Sequence, residues 1–237
     1  MIISKNPFIF PVLLIIFFLG SSCEHHCPLP QGSFERSIEI RQDINSEGDG
    51  DAYLNSDPSL ENINGSGDPH NIVGNWTRFG DPARYRSYLK IDLSEIKTSE
   101  EIVSATLLLH TKPTGADGSV PDIVNDTHDP NNVKICLVTD SWEIKTLSWV
   151  NQPSFSELLE DNIIFTVPED FPAVIGIDVT NLVRKIAGKN KTFNNNGFLF
   201  KMAPEEAAPP YRSFVFYSAN AEVTKQPYLR VQLKSNY

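Results

Sequence analysis

The chain has 237 residues and sets 30 acidic side chains against 20 lysines and arginines, for a formal net charge of −10. That balance argues against nucleic acid as a partner, because a phosphate backbone would meet a like-charged surface; any anionic ligand needs a local basic patch working against the overall field. The length suits one large domain with a sizeable core, and three cysteines without a Cys-x-x-Cys or His-x-x-x-His spacing do not make a zinc site.

From the start of the chain, Lys5, an apolar run over residues 8–19 and the small residues Gly20, Ser21 and Ser22 lead directly into Cys23. A charged start, a short apolar core and a small-residue cleavage site make a secretory signal peptide over residues 1–22. The run falls short of the ~20 residues that cross a bilayer. Two readings of the cut stand. In one, Cys23 follows a loose bacterial lipobox and becomes a lipidated first residue. The chain then meets the membrane through its lipid alone, at the outer membrane or cell surface. In the other, cleavage after Ser22 releases a soluble secreted protein. Both export the chain, and the loss of Lys5 takes the remainder to −11. Residues 23–33, with Pro28, Pro30 and Gly32, read as a tether, and His25 and His26 beside Cys27 fall within it. Whether Cys27 pairs with Cys136 is not decided by spacing.

From residue 34 to 235, short β-like runs alternate with turn-rich breaks, the pattern of an all-β sandwich or barrel. Strands are predicted over 34–41, 51–54, 133–139, 162–167, 174–178, 197–202, 212–218 and 227–233. Leu89, Ile91 and Leu93 alternate with Tyr88, Lys90 and Asp92, which predicts one buried and one wet face. Val103, Ala105, Leu107 and Leu109 repeat that period, and Leu229, Val231 and Leu233 face inward opposite Tyr228, Arg230 and Gln232. The stretch between Asn55 and Arg86 reads as a long polar loop with Trp76 as its exposed aromatic. One segment reads as a helix: Asp178 caps it, Val179, Leu182, Val183 and Ile186 form an apolar stripe, Arg184 and Lys185 suit its negative end, and Gly188 stops it.

Asp43, Asn45, Glu47, Asp49 and Asp51 alternate around Gly48 and Gly50, as the oxygen ligands of calcium loops do. Leu54 stands where an EF-hand needs Glu, so the two readings are a structural calcium ion at a sheet edge and a plain solvated turn.

Four segments in order carry a family resemblance. They are residues 50–54 (GDAYL); 86–93 (RSYLKIDL) followed by 102–107 (IVSATL); 138–142 (VTDSW) followed by 147–153 (LSWVNQP); and 177–183 (IDVTNLV) followed by 196–201 (NGFLFK) and 227–231 (PYLRV). Together they resemble the DNRLRE-domain proteins, which are similar to the disaggregatase-related repeats and to carbohydrate-binding module family 96. The resemblance spans residues 45–234. It implies a jelly-roll β-sandwich, usually extracellular, that binds acidic polysaccharide, with alginate the associated ligand. Ser218-Ala219-Asn220 stands where the letters that name the family would fall.

For binding, Arg84, Arg86, Tyr88 and Lys90 share one parity of a strand and so one face, with Arg78 just upstream and Lys201 and Arg212 on later strands. Guanidinium and ammonium groups with an interleaved ring suit sugar carboxylates, since arginine can engage them in bidentate fashion; the plainer reading is a solvated face. Trp142 and Trp149 fit core packing better than sugar stacking. For catalysis no Gly-x-Ser-x-Gly, His-Glu-x-x-His or phosphate loop occurs, and no acidic pair stands out among thirty carboxylates. A binding protein is expected rather than an enzyme, with a surface structural or adhesion domain and a polysaccharide lyase or hydrolase as the alternatives.

Overall fold

The computed structural model describes residues 33–42, 50–112, 131–168, 172–205 and 212–236. Every described strand belongs to the unit Gly32–Tyr237. Cys23, the tether and Asp43, Asn45, Glu47 and Asp49 of the acidic loop lie outside the described residues.

The strands are β1 (Ser33–Arg41), β2 (Gly50–Asn55), β3 (His70–Arg78), β4 (Asp81–Lys90), β5 (Glu101–His110), β6 (Asn132–Leu137), β7 (Asn162–Thr166), β8 (Val174–Asp178), β9 (Phe198–Met202), β10 (Arg212–Tyr217) and β11 (Tyr228–Asn236), with one helix, α1 (Thr180–Ile186). They make an all-β sandwich of two antiparallel sheets. The smaller runs β1-β11-β5-β8; the larger runs β10-β3-β4-β9-β6-β7, with β2 added on β4. β4 organises the larger sheet, pairing with β3 along Asp81–Tyr85, with β2 along Tyr85–Lys90 and with β9 along Ser87–Leu89.

The alternating apolar positions meet between the sheets. Leu89, Phe198, Phe200, Val133, Ile135, Phe214 and Phe216 from the larger sheet pack with Ala105, Leu107, Leu109, Ile175, Ile177, Leu229 and Val231 from the smaller. Removing that apolar area from water is the main stabilising term. The stripe of α1, Leu182, Val183 and Ile186, joins this core together with Val179 just before the helix. Asp178 does not cap α1 directly; its Oδ1 accepts the Thr180 amide at 2.9 Å in a local turn before the first helical residue.

The period-two pattern breaks once in β5, where Ile102 is buried and Val103 exposed. A register shift against β11 leaves Val103 without a partner between Ile102↔Leu233 and Ser104↔Gln232, and one extra residue in a strand inverts the facing of everything beyond it. Arg184 from α1 covers the irregular carbonyls, its Nε reaching Ile102 O at 2.8 Å and its Nη2 reaching Val103 O at 2.9 Å.

The expected polar loop before Arg86 contains β3. Its sequence hides a strand because only Ile72 and Val73 are strongly apolar, and polar ties hold the strand in place. Buried Asn71 donates to Asp51 Oδ2 at 2.8 Å, and Asp51 also accepts the Ala219 amide at 2.9 Å. Asp51 therefore joins β2 to β3 and to the β10–β11 connection. Trp76, expected exposed in a loop, is a half-buried strand residue.

Local geometry makes two substitutions informative. Gly197 has φ +77°, and a Cβ there would sit 2.3 Å from Leu89 O, so Gly197→Ala should lower stability by about 3 kcal/mol, read as a shifted denaturant midpoint at constant slope. Arg36 engages buried Glu100 through two bonds, Nε–Oε1 at 2.8 Å and Nη2–Oε2 at 3.0 Å. The hydrogen bond from Arg36 holds the Glu100 carboxyl below its usual range against the opposing effect of burial. A depressed carboxyl adds stability that is complete above its unfolded pKa of about 4.3 and lost as pH falls through the lower folded value. Glu100→Gln should therefore weaken the fold at neutral pH and flatten its acid-unfolding limb.

Candidate functional site

The outward face of the larger sheet has its own cover. Ala52 and Leu54 of β2, Tyr88 of β4, Leu199 of β9 and Cys136 of β6 form a second buried cluster with Val138 and Leu147, against which Trp142, Trp149 and Phe155 pack. The covering residues belong to the 138–156 excursion between β6 and β7. That excursion closes on itself through the Val138↔Phe155 bridge and the Ser156 amide on Leu137 O at 2.9 Å. Trp142 Nε1 donates to Asn196 O at 2.8 Å, and Asn64 Nδ2 donates to Ile144 O and Leu147 O at 2.8 and 2.7 Å. The tryptophans are thus packing residues, as their place beside β-like runs suggested. The face expected to be wet is covered, and Tyr88 is fully buried, its hydroxyl 3.1 Å from Gln152 Oε1 and its ring edge-on to Trp142. Burial pushes the Tyr88 phenol well above its usual range, so it serves here as a neutral hydrogen-bonding ring. The Cys136 thiol, free and buried in the same cluster, is pushed up to about 11 by burial.

The cations of β4 do share one face, but they have different fates. Arg86 is held in bidentate fashion by Glu205, with Nε–Oε1 at 2.6 Å and Nη2–Oε2 at 2.7 Å, while Nη1 donates to Gln152 Oε1 at 2.8 Å. Its carbon Cζ lies 4.9 Å from the Trp149 ring centre and 5.6 Å from that of Phe155. Burial pulls the Arg86 guanidinium down, and the Glu205 carboxylate outweighs it. Lys201 sits beside this pair, 3.7 Å from Glu205 and 3.1 Å from Glu157, which Lys134 also reaches at 2.7 Å. The Lys134 hydrogen bond leads the effects that hold the Glu157 carboxyl below its usual range. Lys90 lies over Trp142, with Nζ 5.6 Å from the ring centre.

Arg84 is different. Its Cζ lies 5.1 Å from the Trp149 ring centre, on the ring that Arg86 also approaches. Among the described residues it has no carboxylate within salt-bridge distance, and its buried Nε has no hydrogen-bond partner. Its backbone is fixed by reciprocal bonds to Ser56, the Arg84 amide to Ser56 Oγ at 2.8 Å and the Ser56 amide to Arg84 O at 3.0 Å. A guanidinium oriented by an aromatic face, without a carboxylate partner among the described residues, can accept an anion.

Of the other cations, Arg212 is buried on β10 opposite Asn75, which itself pairs with Arg84 across β3 and β4. It therefore lies in the lateral row of Arg84 but is not presented at the surface. Arg78 ends β3, 3.7 Å from Asp57 and 3.2 Å from Ser59 Oγ. The structure thus brings Arg84, Arg86, Lys90 and Lys201 to one aromatic-lined region, buries Arg212 and sets Arg78 at the β3–β4 turn. Sequence reasoning missed Glu205 and Gln152, which fix Arg86, and Lys134, which meets Lys201 across β6 and β9. Gln152 lay in the 147–153 segment as a signal; Glu205, 119 residues from its partner, gave none. Among the described residues no group of three His, Cys, Asp or Glu side chains is placed to hold a metal ion.

No curated protein matches the chain. Among solved structures, one from Desmodium yellow mottle tymovirus is similar over 98% of this chain and 96% of that one, at 9% identity and a TM-score of 0.29. The family model of carbohydrate-binding module family 96 matches residues 43–233. That span takes in all four sequence segments, the whole of the larger sheet and the smaller sheet apart from β1 and the end of β11, and the chain belongs to carbohydrate-binding module family 96.

Proposed function

We propose that this protein binds an acidic, alginate-like polysaccharide without cleaving it, through the cationic and aromatic region along β4. The observation that carries the reading is Arg84, a guanidinium set against the Trp149 ring with no carboxylate partner among the described residues. Family membership supports a carbohydrate ligand and a binding rather than a catalytic role. The cluster supports the acidic class: among the described residues, Arg84, Arg86, Lys90, Lys134 and Lys201 outnumber Glu157 and Glu205, within a chain of net charge −10. Such a local reversal of sign is what an anionic chain would need. Arg86 acts as the frame, since its charge is already matched, and Arg84 as the contact.

The same proposal places the domain outside the cell, held by lipid on Cys23, on the strength of the leader in the sequence. A calcium ion in the acidic loop would draw on Asp43, Asn45, Glu47 and Asp49, because Asp51 is committed to Asn71 and Ala219. A second reading, a surface domain that contacts another protein, is favoured by exposed Leu158, Leu159 and Ile164 beside and on the edge strand β7.

Affinity electrophoresis in gels holding alginate, pectin, a neutral glucan or no glycan tests the first reading. Selective retardation by the acidic gels, weakening as salt screens the charges, is expected; free migration in every gel would favour the protein-contact reading. The two arginines should separate by mechanism. Arg84→Ala is expected to weaken retention about tenfold with stability nearly unchanged, whereas Arg86→Ala should cost about 3 kcal/mol of stability by leaving Glu205 buried without its partner.

A further inference from the structure

Lys134 of β6 and Lys201 of β9 stand directly opposite each other in the antiparallel register. Both lie on the outward face of the larger sheet, since Cys136 and Leu199, two positions along on the same parity, belong to the covered cluster of that face. Arg86 stands level with them, one step beyond the Ser87↔Phe200 and Tyr88↔Leu199 pairs. The contacts agree with the register, because Arg86 and Lys201 both meet Phe155 and Glu205. Three cations therefore cross the sheet in one row, about 10 Å from β4 to β6 at the spacing of neighbouring strands. Like charges directly opposite one another destabilise a strand pair, so the two ammonium groups need an anion between them. Glu157 supplies it, with Oε2 at 2.7 Å from Lys134 Nζ and Oε1 at 3.1 Å from Lys201 Nζ.

The two carboxylates of this row are held differently. The Glu205 side chain is 10% exposed and holds Arg86 through two short bonds, whereas that of Glu157 is 58% exposed and offers one oxygen to each lysine. Displacing Glu205 would strand a charge in a desolvated site; displacing Glu157 returns a carboxylate to water that it already touches. Among the described residues, Glu157 is also the one carboxylate within salt-bridge distance of Lys134. We propose that Lys134 and Lys201 form a second carboxylate subsite of the glycan surface, filled by the chain's own Glu157, which a carboxylate of the ligand displaces. This rests on the proposed acidic-glycan reading and carries the surface from Arg84 and Trp149 across β9 to β6. The path is continuous, since Arg84 and Arg86 share the Trp149 ring and Arg86 and Lys201 share that of Phe155. A neutral sugar has no charge to put in place of Glu157 and would leave the ammonium groups unpaired, so the latch discriminates against neutral chains. It also lowers the affinity for acidic ones, because binding must first break the Glu157 contacts.

The purified protein and its Glu157→Gln, Lys134→Gln, Glu101→Gln and Arg84→Ala variants, with the Glu157→Gln/Lys134→Gln double variant, would be titrated with an alginate decasaccharide while thermal unfolding is recorded in parallel. Glu157→Gln removes the competitor together with the charge that steadies the lysines. It is expected to bind the decasaccharide about fivefold more tightly and to unfold at a lower temperature. A purely structural ion pair would not move affinity and stability in opposite directions. Glu101→Gln makes the same charge change at an exposed position on β5 of the smaller sheet and should leave affinity nearly unchanged. Lys134→Gln relieves the like-charge pair and so tests the subsite independently. It should weaken binding about threefold and abolish the gain from Glu157→Gln in the double variant. With Arg84→Ala still weakening binding, any of three results would overturn the subsite alone: no gain in Glu157→Gln, a gain matched by Glu101→Gln, or unchanged affinity in Lys134→Gln. Absence of decasaccharide binding by the unmodified protein would overturn the underlying reading, and this inference with it.

Discussion

A seven-stranded sheet has two faces, and its four-stranded partner can cover only one of them. The other is covered by the 138–156 excursion, which lays Trp142, Trp149 and Phe155 over a layer that includes Leu54, Tyr88 and Leu199. Much of the outer surface depends on that cover. An irregular segment held against a sheet must satisfy its own backbone and that of its neighbours, and here asparagine amides carry much of the task. Asn64 ties the excursion at Ile144 and Leu147, and Asn196 ties it at Thr139 through Nδ2 at 2.8 Å. The cover also determines which strand residues remain in contact with solvent.

Once the rings are in place, the cations of β4 cannot extend freely. Arg86 passes beside Trp149 and Phe155 and requires a carboxylate at its end, which Glu205 supplies from beyond β9. Breaking a largely buried pair by removing one partner is costly, because the remaining charge has lost its water. Arg84, two residues earlier on the same face, meets the same tryptophan without such a carboxylate among the described residues. One strand thus presents a matched arginine and an unmatched one on a single ring. The matched member gives rigidity; the other has no carboxylate partner among the described residues. This division follows from where the covering segment and the carboxylates fall, and both arginines would look alike in any count of basic residues.

The hairpin that ends at Phe79 belongs to the same strand. β4 is fixed on both edges over Ser87–Leu89 by β2 and β9, so its N-terminal half leaves a well-anchored support. The left-handed backbone at Phe79, with φ 52°, is tolerated because the paired strands on either side determine the turn geometry.

The fold class and most of the strands were legible in the order of residues alone, because period-two alternation of apolar residues is a local property and burial on one face comes with it. Arg84, Arg86, Tyr88 and Lys90 could be placed on a common face in the same way, since parity along a strand requires nothing from elsewhere in the chain. β3 was not legible, because its buried Asn71 is satisfied by Asp51 from another strand and so reads as loop composition when taken alone. The Tyr88 face reads as wet for a related reason: its cover comes from residues some fifty positions later. Which arginine is matched was settled by the packed chain, since Glu205 lies 119 residues from Arg86. One cause underlies all of these cases. Facing and alternation are set by neighbours along the chain, while desolvation and charge pairing are set by whatever the fold brings alongside.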